Sequence, residues 1–194
     1  MSFYTSLELA TLGLRSCGEN VLISRRASLH NPGRIDLGSH VRIDDFCVLS
    51  AGPGGIAIGS FIHISAHGLL VGAGRIVVGD YASLSGRVSL YSSNDDYSGG
   101  HLTNPMVPDT YRGVISADVV VGRHAIIGAG SVVLPGVTIG EGAAIGALSL
   151  VRGDCEAFTV YGGVPARPIK ARRRRLLELE ALHRAEFPRH AGPG

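Results

Sequence analysis

Aliphatic residues recur at every sixth position along most of this chain. They form five triplets whose members are six residues apart: Leu37, Ile43, Leu49; Ile58, Ile64, Leu70; Val78, Leu84, Leu90; Val121, Ile127, Val133; and Ile139, Ile145, Val151. Extra residues fall only between triplets, the largest insertion lying between Leu90 and Val121. Neither a helix nor an ordinary strand has a period of six, but a chain that turns a corner every six residues does. We therefore predict a solenoid in which three hexads complete one triangular coil.

The predicted fold is all-β, a single-stranded parallel β-helix, and an ordinary β-sandwich with glycine-rich turns is the alternative. Glycine often follows the aliphatic position directly, as at Gly79 and Gly122, so the corners carry little bulk. Aromatic residues make up only 6% of the chain and tryptophan is absent, which suits a narrow core of stacked aliphatic side chains.

We predict a single domain over residues 1–194, with four parts. Thr5 and Glu8 form a possible capping box that begins a short helix over 5–13. The β-helix spans 21–156 and is interrupted by a long loop over 91–118, which is rich in Ser, Asp, Gly, Pro and Tyr and has no hexad pattern. A loop as long as 91–118 in a compact domain is usually functional or disordered. A basic helix over 168–187 follows the β-helix.

Composition limits the classes of partner. The net charge is +2, which does not suggest a nucleic-acid binder. The N-terminus lacks the pattern of a secretory signal, and no apolar run is long enough to span a membrane, so we expect a cytoplasmic protein. The cysteines are odd in number and widely spaced: Cys17, Cys47 and Cys155. We expect reduced thiols that act as small buried side chains.

The hexad pattern resembles the hexapeptide-repeat acyltransferases, whose fold is a left-handed parallel β-helix. Residues 56–170 are similar to the galactoside, maltose and related sugar O-acetyltransferases. The resemblance is strongest in Val121-Gly-Arg-His-Ala-Ile-Ile-Gly-Ala-Gly-Ser-Val-Val-Leu-Pro-Gly-Val-Thr-Ile-Gly and in Gly162-Gly-Val-Pro-Ala-Arg. It implies a homotrimer with acetyl-CoA in the groove between two subunits, a co-substrate site that a flat-sided solenoid cannot form alone.

The resemblance also implies which residues bind acetyl-CoA. Ala129, Gly130 and Ala147 fall in the coils that contact the pantetheine arm, where small side chains leave room for a linear thioester. Arg167 and Lys170 fall where the family places cations for the 3′-phosphate, and the four arginines at 172–175 extend the positive field.

The catalytic position departs from the family. Where the sugar acetyltransferases have a histidine base, the stretch Tyr91-Ser-Ser-Asn-Asp-Asp-Tyr places Asp95. Asp95 could orient His63 or His67 of a neighbouring subunit, since a carboxylate fixes a histidine tautomer and raises its basicity. Alternatively His101 in the loop acts as the base. In a third alternative, an amine nucleophile needs only a carboxylate, or the chain is inactive.

The acceptor site is expected to include residues of two segments: Ser65, Asp96, Tyr97 and His101. The predicted function is acetyl-CoA-dependent transfer to a sugar hydroxyl, or less favourably a sugar amine, in surface-polysaccharide synthesis. A γ-class carbonic anhydrase is one alternative, but His63 and His67 are four residues apart rather than five and no third histidine matches, so we predict no metal site. The other alternative to the acetyltransferase is a non-catalytic scaffold subunit.

Overall fold

The computed structural model describes residues 2–186, and most of these form a parallel β-solenoid of short strands. Strands one coil apart lie side by side and make three parallel sheets, which we call faces A, B and C in the order in which the chain meets them. The corners between them are named AB, BC and CA. The architecture confirms the parallel β-helix that the hexads predicted and agrees with the left-handed form.

Each face contains one strand from successive coils. Face A comprises β1 (Ser16–Cys17), β4 (Ile35–Leu37), β7 (Ile56–Ile58), β10 (Ile76–Val78), β15 (Val119–Val121) and β18 (Thr138–Ile139). Face B comprises β2 (Leu22–Ile23), β5 (Val41–Ile43), β8 (Ile62–Ile64), β11 (Ser83–Leu84), β16 (Ile126–Ile127), β19 (Ala144–Ile145), β21 (Thr159–Gly162) and the antiparallel β22 (Arg167–Ala171). Face C comprises β3 (Ser28–His30), β6 (Val48–Ala51), β9 (Leu69–Gly72), β12 (Ser89–Tyr91), β17 (Val132–Val133) and β20 (Leu150–Val151).

The core consists of the predicted hexad side chains. All fifteen aliphatic residues of the five triplets are buried, and none is more than 3% exposed. Burial of each such side chain contributes roughly 1.5–3 kcal/mol relative to exposure, so the stacked column is the main source of stability.

The glycines of the AB corner are required by the close approach of neighbouring coils. A Cβ atom on Gly79 would lie 2.8 Å from the backbone nitrogen of Arg123, and one on Gly122 would lie 2.7 Å from that of Glu141. No side chain fits at these distances, because parallel strands are only about 4.8 Å apart.

Both predicted helices are shorter than expected. The N-terminal helix α1 spans Ser6–Leu9 rather than 5–13, although both hydrogen bonds of the Thr5–Glu8 capping box are present. Only Leu9 of this helix is buried, so little packing favours a longer one. The solenoid also begins earlier than predicted, at Ser16.

The C-terminal helix α2 spans Arg175–Glu186 rather than 168–187, and residue 187 lies outside the described residues. Residues 167–171 form β22 instead, antiparallel to β21. The physical reason is the open end of face B, where the backbone groups of β21 would otherwise lack hydrogen-bond partners.

The long excursion leaves the solenoid after Tyr91 and returns at Val119. At its base, β13 (Ser93–Asn94) and β14 (Ile115–Ser116) form a short antiparallel pair, which holds the two ends together. One turn of 3₁₀ helix covers Asp109–Tyr111. The excursion is therefore an ordered projection from one corner of the solenoid.

The cysteines differ in environment. Cys47 and Cys155 are buried as expected, and burial raises the pKa of each thiol to about 11. Cys17 is exposed, contrary to the expectation, because β1 belongs to the outermost coil. Neither helix in the described range 2–186 combines the length and apolar character needed to cross a bilayer.

Candidate functional site

The BC corner brings together residues that the sequence assigned to both substrates. Backbone hydrogen bonds place Ser65, Ser85 and Gly128 in one column, because Ser65 N–H donates to the carbonyl of Leu84 and Ser85 N–H to that of Ile127. Adjacent coils are about 4.8 Å apart, so this column crosses about 10 Å from the predicted acceptor side to the predicted CoA side.

The upper part of this corner is lined by small residues. Ala129 and Ala147 are exposed in adjacent coils, and Gly130 has a φ of +71°. The Leu148 N–H donates to the Ala129 carbonyl, which fixes the register of the two coils. The structure therefore places the three predicted pantetheine residues on one accessible edge.

A cleft of about 770 Å³ lies between the excursion and face C. Its loop side includes Asp95, Tyr97 and Arg112, and its solenoid side includes Val132 and Leu150. This cleft combines apolar walls with one carboxylate and one guanidinium, which is the kind of surface that positions a small polar ligand.

Asp95 is held near an arginine of the same loop. A carboxylate oxygen of Asp95 lies 3.9 Å from an Nη atom of Arg112, whose other Nη donates to Asp109 at 2.9 Å. The Asp95 side chain is 42% exposed, whereas that of Arg112 is 19% exposed. Asp95 is therefore accessible to a ligand and has a fixed cationic neighbour.

Asp96 and His101 pair with each other inside the loop. His101 Nδ1 lies 3.0 Å from Asp96 Oδ2, and the backbone N–H of Ser98 donates to Asp96 Oδ1 at 2.7 Å. Hydrogen bonds from Ser98, and then from His101, hold the pKa of Asp96 well below its usual range. The predicted loop histidine thus has a carboxylate partner other than Asp95.

His63 also has a partner of its own. Its Nε2 lies 2.8 Å from Asp44 Oδ2, and Arg42 Nε donates to the other oxygen of Asp44 at 2.7 Å. Burial by itself would raise the pKa of Asp44, but the hydrogen bonds from Arg42 and His63 outweigh it and lower the pKa. Ser83 lies beside His63 in the next coil.

His67 occupies the left-handed region at the BC corner, with a φ of +62°. Its ring stacks on Phe46 with a centroid distance of 5.1 Å. Within one chain, neither His63 nor His67 pairs with Asp95, so a pairing across a subunit boundary stays a prediction. The two histidines also have different surroundings, and among residues 2–186 no three His, Cys, Asp or Glu side chains are grouped to hold a metal ion.

The two predicted phosphate-binding cations lie in separate depressions. Arg167 lines a pocket of about 270 Å³ at the end of the solenoid, together with Arg152 and Tyr161. Lys170 lines a groove of about 580 Å³ with Arg173 and other cations at the start of α2.

Several residues of this region were missed by the sequence reasoning. Ser85 lies in the column that contains Gly128, and Arg87 lies in the column that contains Gly130. The sequence did contain a signal for both residues, because the next coil has glycine at the equivalent positions: Gly128 in place of Ser85 and Gly130 in place of Arg87. Asp44 and Arg112 gave no such signal, since the predicted site residues that they contact, His63 and Asp95, lie well apart from them in the chain.

Comparison with known proteins gives three consistent findings. A family model described as bacterial transferase hexapeptide (six repeats) matches residues 114–153. The chain is 52% identical over 182 residues to the dTDP-4-amino-4,6-dideoxy-D-glucose acyltransferase of Escherichia coli, covering 94% of this chain and 95% of that enzyme. It is 29% identical to WbbJ of Escherichia coli, a putative lipopolysaccharide biosynthesis O-acetyl transferase, covering 73% of this chain and 74% of that protein.

Among solved structures, AntD, an N-acyltransferase from Bacillus cereus in complex with dTDP-4-amino-4,6-dideoxyglucose and coenzyme A, superimposes with a TM-score of 0.92. The two chains are 44% identical over 96% of this chain and 98% of AntD. The AntD structures include variants at one serine and at one aspartate ten residues further along.

Proposed function

The chain belongs to the hexapeptide-repeat acyltransferase family, and we propose that it transfers an acyl group from acyl-CoA to the amino group of a dTDP-linked 4-amino-4,6-dideoxy sugar. The similarity to the Escherichia coli acyltransferase extends over almost the whole of both chains. The sugar hydroxyl that the sequence favoured is supported only by more distant O-acetyltransferases, so the amine is now preferred.

The observation that carries this proposal is Asp95, an accessible carboxylate in the cleft, at the position where the resemblance to the O-acetyltransferases predicts a histidine. A hydroxyl must lose a proton to a base during attack, and a carboxylate is a weak base for that purpose. A neutral amine already has a nucleophilic lone pair and needs only to be oriented. Asp95 can accept a hydrogen bond from such an amine and direct its lone pair at the thioester.

In the proposed reaction, the amine nitrogen bonds to the thioester carbonyl carbon and the carbon–sulfur bond breaks. The nitrogen loses one proton, and the departing CoA thiolate gains one. The products are the amide and the CoA thiol, so no external base is consumed. Asp95 stabilises the positive charge that develops on nitrogen before this proton is lost.

Ser85 is proposed as a second residue that contacts the amine. Ser85 and Asp95 are ten residues apart, the same spacing as the two substituted positions of AntD. Ser85 also lies at the BC corner, between the predicted acceptor residue Ser65 and Gly128 on the CoA side. Its hydroxyl can both donate and accept a hydrogen bond.

We assign the acyl-CoA site to the upper BC corner, with Ala129, Gly130 and Ala147 along the pantetheine arm and with Arg167 or Lys170 at the 3′-phosphate. AntD has been solved with coenzyme A and with 3-hydroxybutyryl-CoA, which supports an acyl-CoA co-substrate. The acyl group is proposed to be acetyl or a short hydroxyacyl chain.

A homotrimer is proposed to complete the site, with the loop of one subunit against the BC corner of the next. In that arrangement Asp96, Tyr97 and His101 would lie near the acceptor, and His63 or His67 of the neighbour remains the alternative base. Incorporation of the product into a surface polysaccharide, and reaction in the cytoplasm where both substrates are made, complete the proposal.

The deciding experiment supplies dTDP-4-amino-4,6-dideoxyglucose with acetyl-CoA or 3-hydroxybutyryl-CoA and measures the mass of the sugar nucleotide. The matched control is dTDP-6-deoxyglucose, which has a hydroxyl in place of the amine. A mass increase of one acyl group on the amino sugar alone is expected. Acylation of the hydroxyl control at a similar rate would favour the O-acetyltransferase instead.

A further inference from the structure

The lower half of the BC corner carries a row of flat and cationic side chains, one from each successive coil. We call Arg26, Phe46, His67 and Arg87 the lower BC edge. The Arg26 guanidinium lies 5.6 Å from the centroid of Phe46, and Phe46 stacks on His67 at 5.1 Å with an interplanar angle of 19°. All four residues are exposed, Phe46 by 49%.

A similar ladder at the AB corner has an evident structural role. There His40, Phe61, Tyr81 and His124 stack at centroid distances of 4.7 to 5.1 Å. Helix α2 covers that ladder, and His183 packs edge-on against Phe61 at 5.0 Å. In the described part of the chain no element covers the lower BC edge in this way.

The backbone of the lower BC edge would be more easily built with glycine. Phe46, His67 and Arg87 have φ values of +62°, +62° and +61°, a region that large residues seldom adopt. Gly130 occupies the same column higher up. Phe61 and Tyr81 at the AB corner both have a φ of +59°, so this conformation is a general feature of the corners, and the lower BC edge differs from the AB ladder in being uncovered rather than in its backbone.

Arg87 is a candidate anion-binding group. It is exposed, lies two residues after Ser85, and pairs with no carboxylate among residues 2–186. An unpaired guanidinium presents a planar set of donors that suits phosphate oxygens. Arg26, by contrast, already has Asp45 at 3.6 Å.

The lower BC edge begins beside Ser85 and extends away from the predicted CoA side. Arg26 lies three coils below Ser85, about 14 Å at the spacing of parallel strands. The CoA side of Ser85 is lined by small residues, with cations beyond it, and the other side leads to Arg87, His67 and Phe46. When two phosphate-bearing substrates meet at one point, cations on each side of the reacting atoms favour the binding of both.

We propose that the lower BC edge binds the nucleoside diphosphate of the acceptor. Arg87 pairs with the diphosphate. Arg26 and His67 cover the two faces of the Phe46 ring, so the exposed ring edges of Phe46 and His67 contact the π face of the nucleobase in an edge-to-face arrangement. This inference rests on the proposed function, since it deepens the recognition of the same acceptor. It gives His67 a binding role in place of the predicted catalytic one.

The test measures dTDP binding by calorimetry to the purified protein and to three variants. Arg87→Gln removes the cation, and Phe46→Leu removes the flat ring while placing a residue that the same corner already accepts at Leu148, with a φ of +56°. Arg34→Gln, an exposed arginine at the CA corner, is the matched control.

We expect Arg87→Gln and Phe46→Leu each to weaken dTDP about 10-fold to 100-fold, while Arg34→Gln changes it less than about 2-fold. Acyl-CoA affinity should be unchanged in all three, which also verifies that they fold. Absence of dTDP binding to the wild-type chain, or equal binding by all variants, would overturn the proposal.

The acylation assay separates this inference from the proposed function. If the wild type acylates the amino sugar but the two edge variants bind dTDP normally, the proposed function stands and the proposed role of the lower BC edge is wrong. If the edge variants lose dTDP binding but the wild type acylates no amino sugar, the role of the edge stands and the proposed function is wrong.

Discussion

Replacement of Asp95 by asparagine tests the chemistry most directly. Asparagine keeps the shape of the side chain and removes its charge. The ion pair of Asp95 with Arg112 is long, at 3.9 Å, and 42% of the Asp95 side chain is exposed. Pairs of this kind contribute at most about 1 kcal/mol, so Asp95→Asn should cost little stability.

The effect on turnover should be far larger. Removing one group that stabilises charge developing in a transition state typically lowers the rate by about 10²-fold to 10³-fold. At about 1.4 kcal/mol for each factor of ten, that is about 3–4 kcal/mol of transition-state stabilisation. We therefore expect kcat to fall by this factor while the Kd for acyl-CoA stays within about 2-fold.

Asp109→Asn provides a matched control, because Asp109 pairs with the same arginine but is 94% exposed. Steady-state kinetics with the amino sugar nucleotide, together with thermal unfolding, should show near-normal turnover for Asp109→Asn. Equal losses in the two variants would mean that the carboxylates act only by placing Arg112. More than half of wild-type kcat in Asp95→Asn would refute a role of its charge in catalysis.

Three further predictions concern stability and the CoA tail. Glu180 is buried; burial raises its pKa, but hydrogen bonds from His124 and Arg184 outweigh this and lower it. Glu180→Ala should reduce the unfolding free energy by about 1–3 kcal/mol in denaturant titrations near neutral pH, because buried His124 loses its hydrogen-bond partner while Arg123 and Arg184 are partly exposed to solvent. A carboxyl group whose pKa is lower in the folded than in the unfolded state stabilises the fold at pH values above its unfolded pKa, which is about 4.3 for Glu. The difference in unfolding free energy between the wild type and Glu180→Ala should therefore shrink as the pH falls below about 5. Gly122→Ala should lower Tm, because its Cβ would lie 2.7 Å from the backbone of the next coil; an unchanged Tm would contradict the close approach. Of Arg167→Ala and Lys170→Ala, only one should abolish discrimination between CoA and 3′-dephospho-CoA in calorimetry, since the two residues line separate depressions.

The period of six determined the fold because it is a local property of the chain. Each hexad carries its own inward side chain and its own corner, and contacts repeat from one coil to the next. The predicted triplets therefore coincide with the buried column, from Leu37 to Val151. The ends were less predictable, because residues 167–171 become a strand only where β21 leaves an unpaired edge.

For the site, the sequence identified Asp95 as a departure and predicted that Ala129 and Ala147 contact acyl-CoA, which stays a prediction. It could not determine which groups pair, because partners such as His63 and Asp44 or Asp95 and Arg112 meet only after the coils stack and the loop folds back. The lower BC edge has the same origin. Phe46, His67 and Arg87 are about twenty residues apart in the chain, and only the rise from one coil to the next makes them neighbours, since each coil returns the chain to the same corner.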